Sequence, residues 1–198
     1  MKNIDSGKVS PMCADQTATF WLTGLSGSGK STLAHGAEQA LRRLGRPCLV
    51  LDGDSFRRAV SSDLGFSHVD RIENIRRAAG VARLVNDAGM IVIASFISPF
   101  REARQMARSI VGDDRFIEIY LSASVNECEK RDHKGLYARA RAGTIADFTG
   151  ISSPYEAPDN AELTIDTSQL GAEQTLEVAM IYIETRLRIG NAMTGNPC

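Results

Sequence analysis

Five short apolar runs punctuate the chain, at residues 19–23, 47–52, 90–95, 116–121 and 163–166. They are rich in β-branched residues, and most lack any alternation of polar and apolar positions. That pattern predicts parallel strands covered on both faces. Between them, apolar residues recur at helical spacing over about 31–44, 71–88, 99–111, 124–131 and 172–189. In the last segment Leu176, Ala179, Ile183 and Leu187 share one face. Gly45 and Gly89 stand where helix C-caps are expected. Ser124-Val-Asn-Glu127 reads as a capping box, and Ser98-Pro99 as an N-cap followed by proline at the first helical position. The alternation predicts an α/β chain: a three-layer fold with a mainly parallel five-stranded sheet and helices on both faces.

The length, 198 residues, suits one such domain, and we find no internal repeat and no interdomain linker. Residues 1–18 are mixed and polar, without the apolar core of a signal peptide, and read as a disordered lead-in. Residues 190–198 read as a flexible tail, which leaves the domain at 19–189. No apolar run approaches the length of a membrane span. A net charge of −1 provides no basic field for nucleic acid. Cys13, Cys48, Cys128 and Cys198 lie far apart with no C-x-x-C pair. They read as free thiols in a reducing, cytoplasmic compartment, not as a disulfide framework or a zinc site. His35, His68 and His133 are equally scattered and read as solvated or helix-face residues.

Chemistry enters after the first apolar run. Gly24-Leu25-Ser26-Gly27-Ser28-Gly29-Lys30-Ser31 fits G-x-x-x-x-G-K-[ST], the P-loop, between a predicted strand and a predicted helix. The glycines let backbone N–H groups close around a polyphosphate. Lys30 reaches the β- and γ-phosphates, and the Ser31 hydroxyl is a ligand for Mg²⁺. The second strand ends in Asp52-Gly53-Asp54. Ligands of an open parallel sheet sit at the carboxyl ends of its strands, so these carboxylates face the nucleotide. Asp54 suits proton acceptance from an attacking hydroxyl, and either aspartate suits a water of the metal shell. The alternative is an Asp-Gly turn with a capping carboxylate.

Arg57, Arg71 and Asn74 offer an anion fork and an amide for a base or ribose, with Arg71 and Asn74 on one helix face. The alternative is an exposed amphipathic helix. Phe66 is either a stacking platform or a core anchor. Ser98 brings a hydroxyl to the edge of the third strand. Residues 131–160 interrupt the alternation with basic residues and then turn formers. They read as a lid over the phosphates, or as a solvated basic helix with a surface loop.

Taken in order, these motifs resemble the adenylyl-sulfate kinase (APS kinase) family from about Thr19 to about Ile189. The resemblance rests on the P-loop, Leu51-Asp-Gly-Asp54, Asp63-Leu-Gly-Phe66 and Glu73-Asn-Ile-Arg-Arg77. It continues through Phe96-Ile-Ser-Pro-Phe-Arg101, Lys134-Gly-Leu-Tyr137, Phe148-Thr-Gly-Ile151 and Ser153-Pro-Tyr-Glu-Ala-Pro158. It implies transfer of the ATP γ-phosphoryl group to the 3′-hydroxyl of adenosine 5′-phosphosulfate, with Mg²⁺, by a homodimer. It implies ATP-binding residues at Gly24, Leu25, Ser26, Gly27, Ser28, Gly29, Lys30, Ser31, Thr32 and Arg131. It implies an acceptor site of Asp52, Asp54, Arg57, Arg71, Asn74, Ile97, Ser98, Lys134 and Thr149, with Phe66 and Phe148 enclosing the adenine. Lys30, Asp54 and Ser98 are its expected catalytic residues. Two positions depart from the family pattern: Ser55 stands where Asn is usual, and His133 where Pro or Val is common. Other acceptors for a small P-loop kinase, and a nucleotide-binding module without catalysis, remain as alternative readings.

Overall fold

In a computed structural model that describes residues 17–188, five parallel strands form one sheet in the order β2-β3-β1-β4-β5. They are β1 (Thr19–Thr23), β2 (Cys48–Asp52), β3 (Ile91–Ser95), β4 (Phe116–Ser122) and β5 (Leu163–Asp166). The helices are α1 (Lys30–Arg43), α2 (Gly53–Ala59), α3 (His68–Asp87), α4 (Arg101–Val111), α5 (Val125–Lys130), α6 (Leu136–Arg141) and α7 (Ala172–Arg186). Strands β1–β4 match the apolar runs because both faces of the sheet are covered there, while edge strand β5 buries Ile165 and exposes Thr164 and Asp166. Phe20, Leu22, Ile93 and Ile119 pack with Leu33, Leu41 and Ile183 under α1 and α7. Trp21, Val92, Ala94 and Phe116 face α3 and α4, whose alanines at 78, 79, 82, 103 and 107 permit close approach. A smaller core of Leu25, Cys128, Tyr137, Ala140 and Phe148 lies beside α5 and α6.

The two C-cap glycines do what their positions imply. Gly45 (φ 68°) and Gly89 (φ 83°) each close a Schellman motif, with Arg46 N–H donating to Leu41 O at 2.9 Å and Met90 N–H to Val85 O at 3.1 Å. Ser124 caps α5 by accepting from Glu127 N–H at 3.2 Å, but the Glu127 carboxylate pairs with Lys130 at 2.6 Å. Leu176, Ala179, Ile183 and Leu187 face the core from α7 and its C-cap.

Several boundaries differ from the sequence expectation. Thr17 and Ala18, assigned to the lead-in, are buried, and Ala18 O accepts from Val92 N–H at 2.9 Å. The remainder of the lead-in, the tail, Cys13 and Cys198 lie outside the described residues. Helix α2 is an addition: Asp52 caps it through bonds from Asp54 N–H (3.2 Å) and Ser55 N–H (3.3 Å). Only Phe56 of α2 is buried, so no apolar period announces it. Helix α3 starts three residues early because Ser67 accepts from Asp70 N–H at 3.2 Å.

Ser98 is not the N-cap of α4. The helix begins at Arg101 with Phe100 as its cap residue, and Ser98 sits in the left-handed region (φ 40°). Tertiary partners displace the local signal: the Ser98 hydroxyl accepts from Trp21 Nε1 at 3.1 Å and donates to Thr23 Oγ1 at 3.0 Å. A serine in this conformation costs about 1–2 kcal/mol.

Candidate active site

The segments at the carboxyl ends of β1, β2, β3 and β5, with the end of α5 and the loop after it, line one cleft of about 660 Å³. Its floor is the P-loop. Gly24, Gly27 and Gly29 have φ of 148°, 80° and 93°. A Cβ at Gly24 would lie 2.6 Å from Leu121 O, and one at Gly27 would lie 2.8 Å from Cys128 O. Only glycine fits there, so backbone N–H groups reach the cleft at the N-terminus of α1, a geometry suited to phosphate.

Lys30 is folded back into this loop. Its Nζ donates to Leu25 O (2.6 Å), Gly24 O (2.9 Å) and Ser28 Oγ (3.4 Å). Burial pushes its pKa down to about 8, while nearby Cys128, Asp52 and Asp54 act in the opposite direction. Ser31 Oγ donates to Asp52 Oδ2 at 2.9 Å. One Asp52 oxygen thus caps α2, as the turn-and-cap alternative expects, and the other meets the P-loop serine. A hydroxyl and a carboxylate side by side are hard oxygen donors of the kind Mg²⁺ takes, with phosphate and water completing the shell. Among the described residues no group of three His, Cys, Asp or Glu side chains forms a metal cage.

Asp54 lies on the exposed first turn of α2, and Lys134 Nζ reaches it at 2.6 Å from across the cleft. Hydrogen bonding to Asp54 raises the Lys134 pKa. Lys134 sits in the loop between α5 and α6, which closes one side. Asp132 shapes that loop by accepting from Leu136 N–H and Tyr137 N–H, both at 2.8 Å. Tyr137 OH pins it to the P-loop at Ser26 O, 2.9 Å away. Arg131 is held by Thr167 O at 2.6 Å, and Thr167 Oγ1 donates to Ser28 O at 3.2 Å. Tyr137, Asp132 and Thr167 are site-building residues that the sequence reading missed; the bonds of Tyr137 and Thr167 join elements far apart in the chain, so no spacing announces them, whereas Asp132 acts on the turn four and five residues ahead.

The opposite wall carries Arg57, Phe66, Arg71 and Asn74. Phe66 is 61% exposed, which removes the core-anchor reading. Its ring lies under the guanidinium of Arg57 at 4.4 Å, with that of Arg71 at 5.7 Å. Asp70 sets the loop by accepting from Gly65 N–H at 3.2 Å. Arg71 Nε donates to Phe66 O (2.8 Å) and its other nitrogens to Thr149 Oγ1 (3.0 Å) and Asp147 O (2.5 Å). Asn74 is buried, and its Oδ1 has no hydrogen-bond partner, nor does the hydroxyl of Ser95 beside the same cleft. Buried unpaired polar atoms at a cleft wall are a place for ligand groups.

Most of the predicted residues converge here: the loop over 26–32, Asp52, Asp54, Arg57, Phe66, Arg71, Asn74, Ile97, Ser98, Arg131 and Lys134 all line the cleft. Four do not. Gly24 and Leu25 act from beneath, through carbonyls that hold Lys30. Thr149 acts through Arg71. Phe148 is buried in the small third core, edge-on to Tyr137 at 5.0 Å, so it does not face Phe66 across an adenine in this conformation. Ser98 borders the cleft, and its hydroxyl is bonded to Trp21 and Thr23. Of the two family departures, Ser55 accepts from Arg58 at 3.0 Å outside the cleft and His133 is an exposed cleft-side residue. The excursion at 131–160 is not one lid. Its first part covers the cleft, its middle holds Arg71, and its end packs against the turn after β3.

Comparison with known proteins agrees with this geometry. The family model for adenylylsulphate kinase matches residues 16–166. The chain is 51% identical over 176 residues to the adenylyl-sulfate kinase of Geotalea uraniireducens, spanning 89% of this chain and 85% of that protein. It is 54% identical over 165 residues to the bifunctional enzyme NodQ of Rhizobium tropici, spanning 83% of this chain but only 26% of that longer protein. Among solved structures, the Mycobacterium tuberculosis APS kinase in complex with AMPPNP and APS superimposes with a TM-score of 0.82 at 43% identity, over 85% of this chain and 98% of that one. The P-loop floor, the paired aspartates at the end of β2 and the arginine–phenylalanine wall thus sit on a chain that belongs to the adenylyl-sulfate kinase family.

Proposed function

We propose that this chain, as a domain over 19–189, transfers the γ-phosphoryl group of Mg²⁺-ATP to the 3′-hydroxyl of adenosine 5′-phosphosulfate. The observation that carries the choice of acceptor is the wall opposite the P-loop. An exposed aromatic flanked by two arginines, beside a buried Asn74 Oδ1 without a partner, suits a nucleotide bearing an anionic tail. The P-loop and the N-terminus of α1 hold the triphosphate. Lys30 exchanges loop carbonyls for phosphate oxygens as the nucleotide enters. Ser31 and Asp52 would hold the metal, which would supply charge neutralisation of the phosphates. Asp54 takes the proton from the acceptor hydroxyl, and Lys134 holds it in place. Arg57 and Arg71 meet the phosphosulfate, Phe66 stacks on the base, and transfer is direct. ADP release with adenosine 5′-phosphosulfate, compared with AMP and gluconate, tests this. Faster release with either of the other acceptors would overturn the assignment.

The same reading carries a homodimer, to be checked by sedimentation. It also carries a cytoplasmic location, supported by the two buried free thiols of Cys48 and Cys128. No helix among the described residues is long and apolar enough to cross a membrane.

Two results are expected from the acceptor wall and the P-loop lysine. Arg71→Ala should weaken acceptor binding by roughly tenfold to a hundredfold, the worth of a charge-assisted bond at 1.5–3 kcal/mol, with ATP affinity little changed. Equal losses for both ligands would make Arg71 a structural residue, as its bonds to residues 66, 147 and 149 would allow. Lys30 predicts a pH dependence. Its pKa in the free protein is about 8, and phosphate raises it. Below that pH the lysine is charged with or without ligand, so ATP affinity stays level. Above it, binding must take up a proton, and affinity falls by up to about tenfold per pH unit. Titration calorimetry in buffers of different ionisation enthalpy checks the uptake; a level affinity from about pH 7 to about pH 9.5 would exclude it.

A further inference from the structure

The segment Ser153-Pro-Tyr-Glu-Ala-Pro158 ends the basic excursion and has no place in the lid or in the cleft lining. It lies against the turn that follows β3, where Glu156 N–H donates to Pro99 O at 2.8 Å and Glu156 Oε2 accepts from Arg101 N–H at 2.8 Å. That turn carries Ile97 and Ser98, part of the cleft wall. Its left-handed Ser98 needs support from outside. One support is a buried chain of bonds. Thr23 Oγ1 donates to Ile97 O at 2.8 Å, so it accepts from both Ser98 Oγ (3.0 Å) and Tyr155 OH (2.9 Å). The other support is Arg104 on α4, which is 3% exposed. Its Nη1 donates to Ser98 O at 2.7 Å, its Nη2 to Glu156 O at 2.8 Å, and its Nε pairs with Glu118 Oε1 of β4 at 2.6 Å.

Desolvating a guanidinium and a carboxylate is costly unless their geometry is well satisfied. Here two hydrogen bonds of one guanidinium tie α4 to the wall turn and to the 153–158 segment, an ion contact without hydrogen-bond alignment ties it to β4, and a lysine has no such fork. Arg104, Glu118, Thr23 and Tyr155 do not line the cleft. Whatever they contribute to the reaction passes through the shape of the turn.

We propose that Arg104 and Tyr155 are positioning residues that hold the Ile97–Ser98 turn in its left-handed form and so fix the acceptor half of the cleft. The kinetic part of this inference rests on the acceptor reading given above. Two conservative variants test it. Arg104→Lys keeps a cation beside Glu118 and loses the fork; Tyr155→Phe keeps the ring and loses only the bond to Thr23. In Arg104→Lys the acceptor KM should rise about tenfold and kcat fall severalfold, with the ATP KM within about twofold. Tyr155→Phe should show the same split at about threefold. Hydrogen exchange of the amides of residues 96, 97, 98 and 100 should quicken in both variants, with that of 24–31 unchanged. Should Arg104→Lys fail to fold, Tyr155→Phe decides. Unchanged exchange at residues 96, 97, 98 and 100 in a folded variant, or equal changes in the two KM values, would overturn the proposal. A wild-type protein that does not phosphorylate adenosine 5′-phosphosulfate would refute the function reading instead, and the exchange measurement would still decide the positioning role.

Discussion

Replacing Lys30 with alanine is expected to lower the rate of phosphoryl transfer by about 10²–10³-fold or more while the protein stays folded, because removing one preorganised charge from a transferring group costs about 3–4 kcal/mol. The argument starts from where the ammonium sits. It is buried in the P-loop and bonded to the carbonyls of Gly24 and Leu25, close to where a bound polyphosphate collects negative charge. Burial already disfavours the charged form, as its lowered pKa records. Alanine removes that unfavourable term, so thermal stability of the free protein should hold level or rise. Measuring turnover and melting temperature together separates the effects. Near-normal turnover in a folded Lys30→Ala protein would remove the P-loop lysine from the mechanism.

Asp54→Asn is expected to reduce kcat by about 10²–10⁴-fold, the usual contribution of a general base, with a much smaller change in the ATP KM. The amide keeps the size and position of the carboxylate on the first turn of α2. It cannot take the acceptor proton, and it no longer forms the ion pair with Lys134 at 2.6 Å. A Lys134→Met variant isolates the second loss. It removes the partner but keeps the base, so its kcat should stay well above that of Asp54→Asn. If Asp54→Asn raised only the ATP KM, Asp54 would be a nucleotide-binding residue. If both variants lost activity equally, the ion pair rather than the base would be the essential element.

These two residues were legible in the sequence because their chemistry is local. Closely spaced glycines are needed for a phosphate loop, and a carboxylate just past an apolar run stands at the carboxyl edge of a parallel sheet. The sheet itself was equally legible, since strands buried on both faces must be apolar throughout. The Arg57–Phe66–Arg71–Asn74 wall was visible as a set of residue types. Its arrangement was not: the exposure of Phe66 depends on Asp70 turning back to Gly65 N–H, and the unpaired Asn74 Oδ1 depends on packing.

Elsewhere the local signal and the fold disagreed, and the fold prevailed. Ser98-Pro99 has the residues of a helix start, yet Trp21, Thr23 and Arg104 bind Ser98 and move the start of α4 to Arg101. Phe148 has the chemistry of a stacking residue, yet a small core around Tyr137 buries it. Helix α2 forms on one capping carboxylate with a single buried side chain. The sequence by itself determined the five strands, the five longer or capped helices between them, the phosphate loop and the two aspartates at the edge of the sheet, because periodicity and loop chemistry act over a few neighbouring residues. Tertiary structure alone decided which polar side chains face the cleft and which are spent holding its walls. A hydrogen bond between residues 77 or 132 positions apart follows from how strands and loops are brought together, and no local pattern encodes it.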